Sequence, residues 1–160
     1  MYYKPIYGLL FNLSRNAALA EDLTQETFAA AWAHIAAFDG RRSLGAWLHR
    51  IGYNKFLDAQ HLLARRGSMQ AMVRRAQGPP NPGDNPADRV LSSERSAQLH
   101  EAIHRLDGAS RDVIVMHYLQ ALSFREMAEI LGEPTGTVKW RVSKALDRLR
   151  QEILNARIEL

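Results

Sequence analysis

Apolar residues recur along this chain at spacings of three and four, the period of helices with one buried face. Ile6, Leu9, Leu10 and Leu13 predict a helix over residues 2–15, with Pro5 tolerated in its first turn and Asn16 as its stop. A second helix is predicted over residues 21–38, with Thr24, Thr27, Phe28, Ala31, Ile35 and Phe38 on one side. Ser43 can cap a third over residues 44–66, whose core side starts with Leu44, Trp47, Leu48 and Ile51. Leu99, Ile103 and Leu106 predict a helix over residues 96–106, and Ser110 can cap the next, which carries Val113, Ile114 and Met116 to Tyr118.

Residues 122–150 carry the densest set of signals. Ser123 stands three residues before Glu126, the capping-box spacing. Met127, Ala128, Ile130 and Leu131 supply a buried face, Gly132 ends the helix in a left-handed cap and Pro134 blocks continuation. Thr137 is a good N-cap for a last helix, where Val138, Val142, Ala145, Leu146, Leu149 and Ile153 share one side. The whole pattern predicts an all-α fold.

One stretch breaks it. Residues 67–94 include GPPNPGDNPAD, rich in proline, glycine and asparagine and poor in apolar residues, and read as a flexible linker. Two small helical domains follow, residues 1–66 and 95–160, each with a modest core.

Charge sharpens the picture of the last helix. Residues 139–150 hold five basic residues and one acid, whereas residues 110–134 hold two basic residues and four acids. Trp140, Ser143 and Lys144 lie opposite the apolar side, with Arg141 and Arg148 on one flank and Lys139 and Arg150 on the other. A helix-turn-helix needs such a second helix, with basic flanks for phosphates and a central strip for base edges. A solvated amphipathic helix in a bundle is the bland alternative for the basic helix alone.

The second helix offers a different surface. Asp22, Gln25 and Glu26, then Ala29, Ala33 and Ala36, form its other side. Small side chains beside acids suit close approach by a partner helix, although acids also favour a helix N-terminus through its dipole. Arg41 and Arg42 occupy a turn, DGRRS, followed by Trp47, Arg50, Asn54 and Lys55 on the third helix. Basic groups with an aromatic ring can hold single-stranded nucleic acid. Trp47 as a core residue and the arginines as a solvated turn are the competing reading.

The totals agree with an anionic partner without requiring one: 160 residues, a net charge of +4 and 46% hydrophobic residues. With no cysteine, disulfides and thiolate metal sites are excluded. No signal-peptide pattern opens the chain and no apolar run approaches ~20 residues, so a soluble cytoplasmic protein without a membrane span is expected. His100, Glu101 and His104 match the zinc-protease pattern H-E-x-x-H, but no third ligand follows at the extended spacing. The Gly132–Thr137 segment lacks the spacing and ending of a phosphate loop. No cofactor or metal, and no catalytic set, is expected.

The two blocks together resemble the extracytoplasmic-function type of bacterial RNA polymerase sigma factor. AEDLTQETFAAAWAHIAAFDGRRSLGAWLHRIGYNKFLD is similar to region two of that family, and LHEAIHRLDGASRDVIVMHYLQALSFREMAEILGEPTGTVKWRVSKALDRLRQEI to region four. The resemblance implies that Asp22, Gln25 and Glu26 bind the clamp of core RNA polymerase. It implies that Arg41, Arg42, Trp47, Arg50, Asn54 and Lys55 meet the minus-ten element of promoter DNA. It further implies that Thr137, Lys139, Trp140, Arg141, Ser143, Lys144 and Arg148 serve the minus-thirty-five element, with Arg141 and Arg148 on phosphates. An anti-sigma factor is the other implied partner, and nucleotide chemistry would belong to the polymerase. Trp140 departs from the small polar residue common there, and Gly45 and Gly52 replace better helix formers at about 1 kcal/mol each. A stand-alone helix-turn-helix regulator, dimeric on a palindromic site, is the alternative.

Overall fold

The computed structural model describes residues 1–67 and 89–158, with side chains at 1–67 and 94–156. Among them lie seven α-helices and no strand: α1 (Tyr3–Ser14), α2 (Ala17–His34), α3 (Leu44–Arg65), α4 (Arg89–Arg105), α5 (Gly108–Ile114), α6 (Phe124–Leu131) and α7 (Thr135–Ile158). The chain divides into two compact units, one containing α1–α3 and the other α4, α5, α7 and the first part of α6. The expected linker falls, for residues 68–88, outside the described residues. Its last part, expected to be irregular up to residue 94, is already helical from Arg89. No proline or glycine occurs between Pro86 and Gly108, so nothing in the sequence breaks a helix there.

In the first unit α1, α2 and α3 pack on one another. Ile6, Leu9, Leu10 and Leu13 are all buried, as their spacing predicts. Asn16 does more than stop α1: its Oδ1 accepts from the Leu19 N–H at 3.1 Å and starts α2 four residues before the expected Glu21. The buried face of α2 is Ala20, Leu23, Thr24, Thr27 and Ala31. Thr24 and Thr27 satisfy their hydroxyls on the carbonyls of Ala20 and Leu23, both at 2.6 Å, and so pack like branched apolar residues.

Two expectations shift. Ile35, expected on the apolar side, is exposed because α2 tightens into a 3₁₀ turn over Ile35–Ala37, which changes the angular step per residue. On α3 the deep positions are Ala46, Leu48, His49, Gly52, Tyr53 and Phe56, whereas Leu44, Trp47 and Ile51 are half-buried. The expected stripe followed the large side chains, but the close approach to α1 and α2 uses small ones. Gly52 therefore has a packing reason that its helix propensity alone does not reveal.

In the second unit α5 and α4 pack on α7. The core comprises Ala102, Ile103, Leu106, Val113–Met116, Leu122, Met127, Val138, Val142, Ala145 and Leu149. Leu99, expected in the stripe of α4, is exposed. Helix α5 is capped by Asp107, whose Oδ1 accepts from the Ser110 N–H at 3.2 Å, so Ser110 lies inside the first turn instead of capping it. After α5 the chain widens into a π turn over Val115–Leu119 and passes through Ala121 at φ +53°.

Candidate nucleic-acid interface

The turn between α6 and α7 is built as the sequence predicts. The Ser123 N–H and hydroxyl donate to Glu126 Oε2 at 2.8 and 2.9 Å, and the Glu126 N–H donates to Ser123 Oγ at 3.2 Å. Gly132 takes φ +66°, which lets the Glu133 N–H reach back to the Ala128 carbonyl at 3.2 Å. Helix α7 then starts at Thr135, with the Pro134 carbonyl accepting from the Val138 N–H at 3.1 Å. Thr137, expected as the N-cap, is the third helical residue, and Pro134 stands at the cap position.

Val138, Val142, Ala145 and Leu149 seat α7 on the core, which turns Thr137, Lys139, Trp140, Ser143 and Lys144 to the surface. Trp140 is 62% exposed, a large ring with no core to serve. It lines one recess with Lys144, Arg141 and Arg148, closed by Ala109 and Ser110 of α5. Lys139 Nζ stands 5.8 Å from the centre of the Phe124 ring, within cation–π range.

The two flanking arginines are not idle. Arg141 Nη1 donates to both carboxylate oxygens of Glu133, at 2.8 and 2.9 Å, and Nη2 to the Ala109 carbonyl at 3.4 Å. Arg148 Nη1 donates to Asp107 Oδ2 at 2.8 Å and to Ser110 Oγ at 2.9 Å. Chiefly the Ser110 hydroxyl, with its N–H and Arg148 adding to it, holds the Asp107 carboxyl below its usual range. Both arginines, expected at phosphates, are thus engaged within their own unit.

In the first unit, Asp22, Gln25, Glu26, Ala29, Ala33 and Ala36 are all exposed. The sequence reading missed the largest member of that face. Trp32 is 83% exposed, and the run from Gln25 to Ala29 and Trp32 keeps the alternating steps of four and three that mark one helix side. The strip is therefore not smooth but carries an indole at its centre.

The basic turn is held by Asp39, whose Oδ1 and carbonyl accept from the N–H groups of Arg41 and Arg42, both at 3.0 Å. This leaves both arginine side chains exposed. Trp47 is half-buried, with its ring 5.0 Å from that of Phe38. Arg50 and Asn54 continue the Trp47 side of α3 at helical spacing and are exposed. Lys55 instead pairs with Glu26 of α2 at 3.6 Å, which joins one residue from each of two expected sites. His100, Glu101 and His104 form no metal cluster: among the described residues no group of three His, Cys, Asp or Glu could hold an ion, and Glu101 pairs with Arg105 at 2.9 Å.

A capped helix-turn-helix with an exposed basic helix, together with a separate helical unit, has the make-up of a two-module DNA-binding protein. Comparison with known proteins gives the family. Residues 1–67 match the Sigma-70 region 2 model and residues 102–151 the Sigma-70, region 4 model. The chain is 33% identical to the ECF RNA polymerase sigma factor SigW of Bacillus subtilis, covering 96% of this chain and 85% of that protein. It is 34% identical to the ECF sigma factor SigE of Mycolicibacterium smegmatis over 91% of this chain, and spans 56% of that longer protein. The fold is similar to that of the sigma factor RpoE from Bartonella quintana, solved with the anti-sigma factor NepR: TM-score 0.69, 28% identity, 96% of this chain and 92% of that one. The chain belongs to the extracytoplasmic-function family of RNA polymerase sigma factors, whose members direct transcription initiation.

Proposed function

We propose that α2 docks this chain on the clamp of core RNA polymerase through Asp22, Gln25, Glu26, Ala29 and Trp32. The turn with Arg41 and Arg42, and Trp47, Arg50 and Asn54 of α3, then hold the opened minus-ten element, with Lys55 released from Glu26 when each meets its own partner. Thr137, Lys139, Trp140, Ser143 and Lys144 face the minus-thirty-five element in the major groove. Nucleotide chemistry stays with the polymerase, and the chain works beside it in the cytoplasm; no described helix is long and apolar enough to cross a membrane. An anti-sigma factor, the kind of partner bound to the Bartonella relative, masks the free chain.

The observation that carries this reading is the pairing of two surfaces in one chain: an acidic helix face centred on an exposed tryptophan, and a basic recognition helix in another unit. A stand-alone regulator needs only the second. Mixing the purified chain with sigma-free core polymerase tests it. Co-elution in size-exclusion chromatography and promoter-dependent run-off transcription are expected. A dimer that ignores polymerase and shifts palindromic DNA would overturn it.

A further inference from the structure

We infer that Glu133 and Arg141 form a positioning pair that sets the angle of the recognition helix, and that Arg141 is not a phosphate contact. The inference rests on the reading of α7 as the DNA-facing helix. Arg141 is the most enclosed of the basic residues on α7 that pair with acids: its side chain is 21% exposed, against 59% for Arg148 and 71% for Arg150. One guanidinium nitrogen takes both oxygens of Glu133, and the other reaches the Ala109 carbonyl in the first turn of α5. Glu133 is itself fixed, because its N–H bonds back to the Ala128 carbonyl of α6.

A single planar guanidinium thereby gathers three pieces: the turn after α6, the body of α7 and the start of α5. A planar fork suits this task and a lysine ammonium does not. Trp140 precedes Arg141 in the chain and Lys144 stands almost one turn beyond it, so the pair governs the residues turned toward the groove. The Arg148–Asp107 pair differs, since both side chains are more than half exposed and the arginine is free to exchange its carboxylate for a phosphate.

The two roles predict opposite signs. Removing an acid next to a phosphate-binding arginine raises DNA affinity, whereas removing the acid that aims a helix lowers discrimination. The test uses holoenzyme assembled from the full chain and sigma-free core polymerase. Its probe is a promoter duplex selected by the wild-type holoenzyme from a library randomised across the upstream element. Glu133→Gln, Arg141→Gln, Arg141→Lys and the double Gln variant are compared, with melting curves showing that each is folded.

Each single variant is expected to lose about tenfold in discrimination for the selected sequence over random duplex, the size of one base contact. The double variant is expected to lose no more than Arg141→Gln. The salt slope of binding is expected to stay unchanged. If Glu133→Gln binds more tightly, Arg141→Lys behaves as wild type and Arg141→Gln lowers the salt slope by about 0.9, Arg141 is a phosphate contact and the inference is overturned. Lys144→Ala separates the two levels: full retention of discrimination in that variant overturns the reading of α7, and the pair's proposed role falls with it.

Discussion

Gly52 of α3 lies so near Thr27 of α2 that a Cβ on Gly52 would stand 3.3 Å from Thr27 Oγ1. The same atom would lie 3.6 Å from Ile6 Cγ2 and 3.7 Å from Leu10 Cδ1, so all three helices of the first unit converge there. Thr27 cannot turn aside without breaking its 2.6 Å bond to the Leu23 carbonyl. Alanine at position 52 gains about 1 kcal/mol of helix propensity, and the crowding offsets it. Urea denaturation of Gly52→Ala is therefore expected to show no stabilisation, and Gly52→Leu a loss of about 1–3 kcal/mol or more. A full 1 kcal/mol gain for alanine would mean that this contact is loose.

The second prediction concerns the face of α2. Glu26→Lys reverses a charge beside Lys55, and Trp32→Ala removes the exposed indole; neither side chain supports the core. Both variants are expected to keep the wild-type melting temperature within a few degrees, since an exposed ion pair contributes about 0–1 kcal/mol. Glu26→Lys is expected to abolish co-elution with core polymerase, and Trp32→Ala to weaken it. Wild-type binding by both would remove the docking assignment from α2.

How much of this was legible in the sequence depended on what each residue displays. The capping box at Ser123 and Glu126 and the left-handed Gly132 follow from local chemistry within a few residues, so spacing alone locates them. The stripe of α3 was misjudged because Ala46 and Gly52 carry little or no hydrophobic signal, yet both lie on its deep side and Gly52 meets α1 and α2 directly. Ile35 was misplaced because a 3₁₀ turn resets helical phase. Trp32 obeyed the period of the face beside it but reads in a pattern as a core residue, and only burial reveals that nothing covers it. The partners of Arg141 and Arg148 are set by tertiary approach to α5, about which a helical wheel of α7 is silent.

Asp107 gives a pH-dependent prediction. Its carboxyl is held below the ordinary value of about 3.9, first by the Ser110 hydroxyl and then by the Ser110 N–H and Arg148. A lowered folded-state value means that its stabilising effect is fully present above the ordinary value and is lost as pH falls through the lowered one. Asp107→Asn keeps a capping oxygen and loses the charge. Melting curves should show the wild type more stable than the variant at pH 7, with the gap closing below about pH 4. The gap should be small, because both side chains of the Arg148 pair are largely exposed to solvent. A gap that widens on acidification would contradict the assignment.

Trp140 carries the last prediction, because its exposure conflicts with its cost. An uncovered indole on the outer side of a helix offers no stability to the free chain, and removing it should leave the second unit folded. Its neighbours in the recess include Lys144 and Arg148, so the ring sits beside basic groups able to meet a phosphate backbone. Indole offers an apolar face, which in the major groove suits the methyl group of thymine. With wild-type holoenzyme, replacing the preferred thymine in the upstream element by uracil, which lacks only that methyl, should weaken binding. With Trp140→Ala the same replacement should change nothing, and discrimination at that one position should fall by about 1 kcal/mol, the size of one buried methyl group, while other positions are read as before. Equal sensitivity of both proteins to the missing methyl would show that the ring does not touch the base.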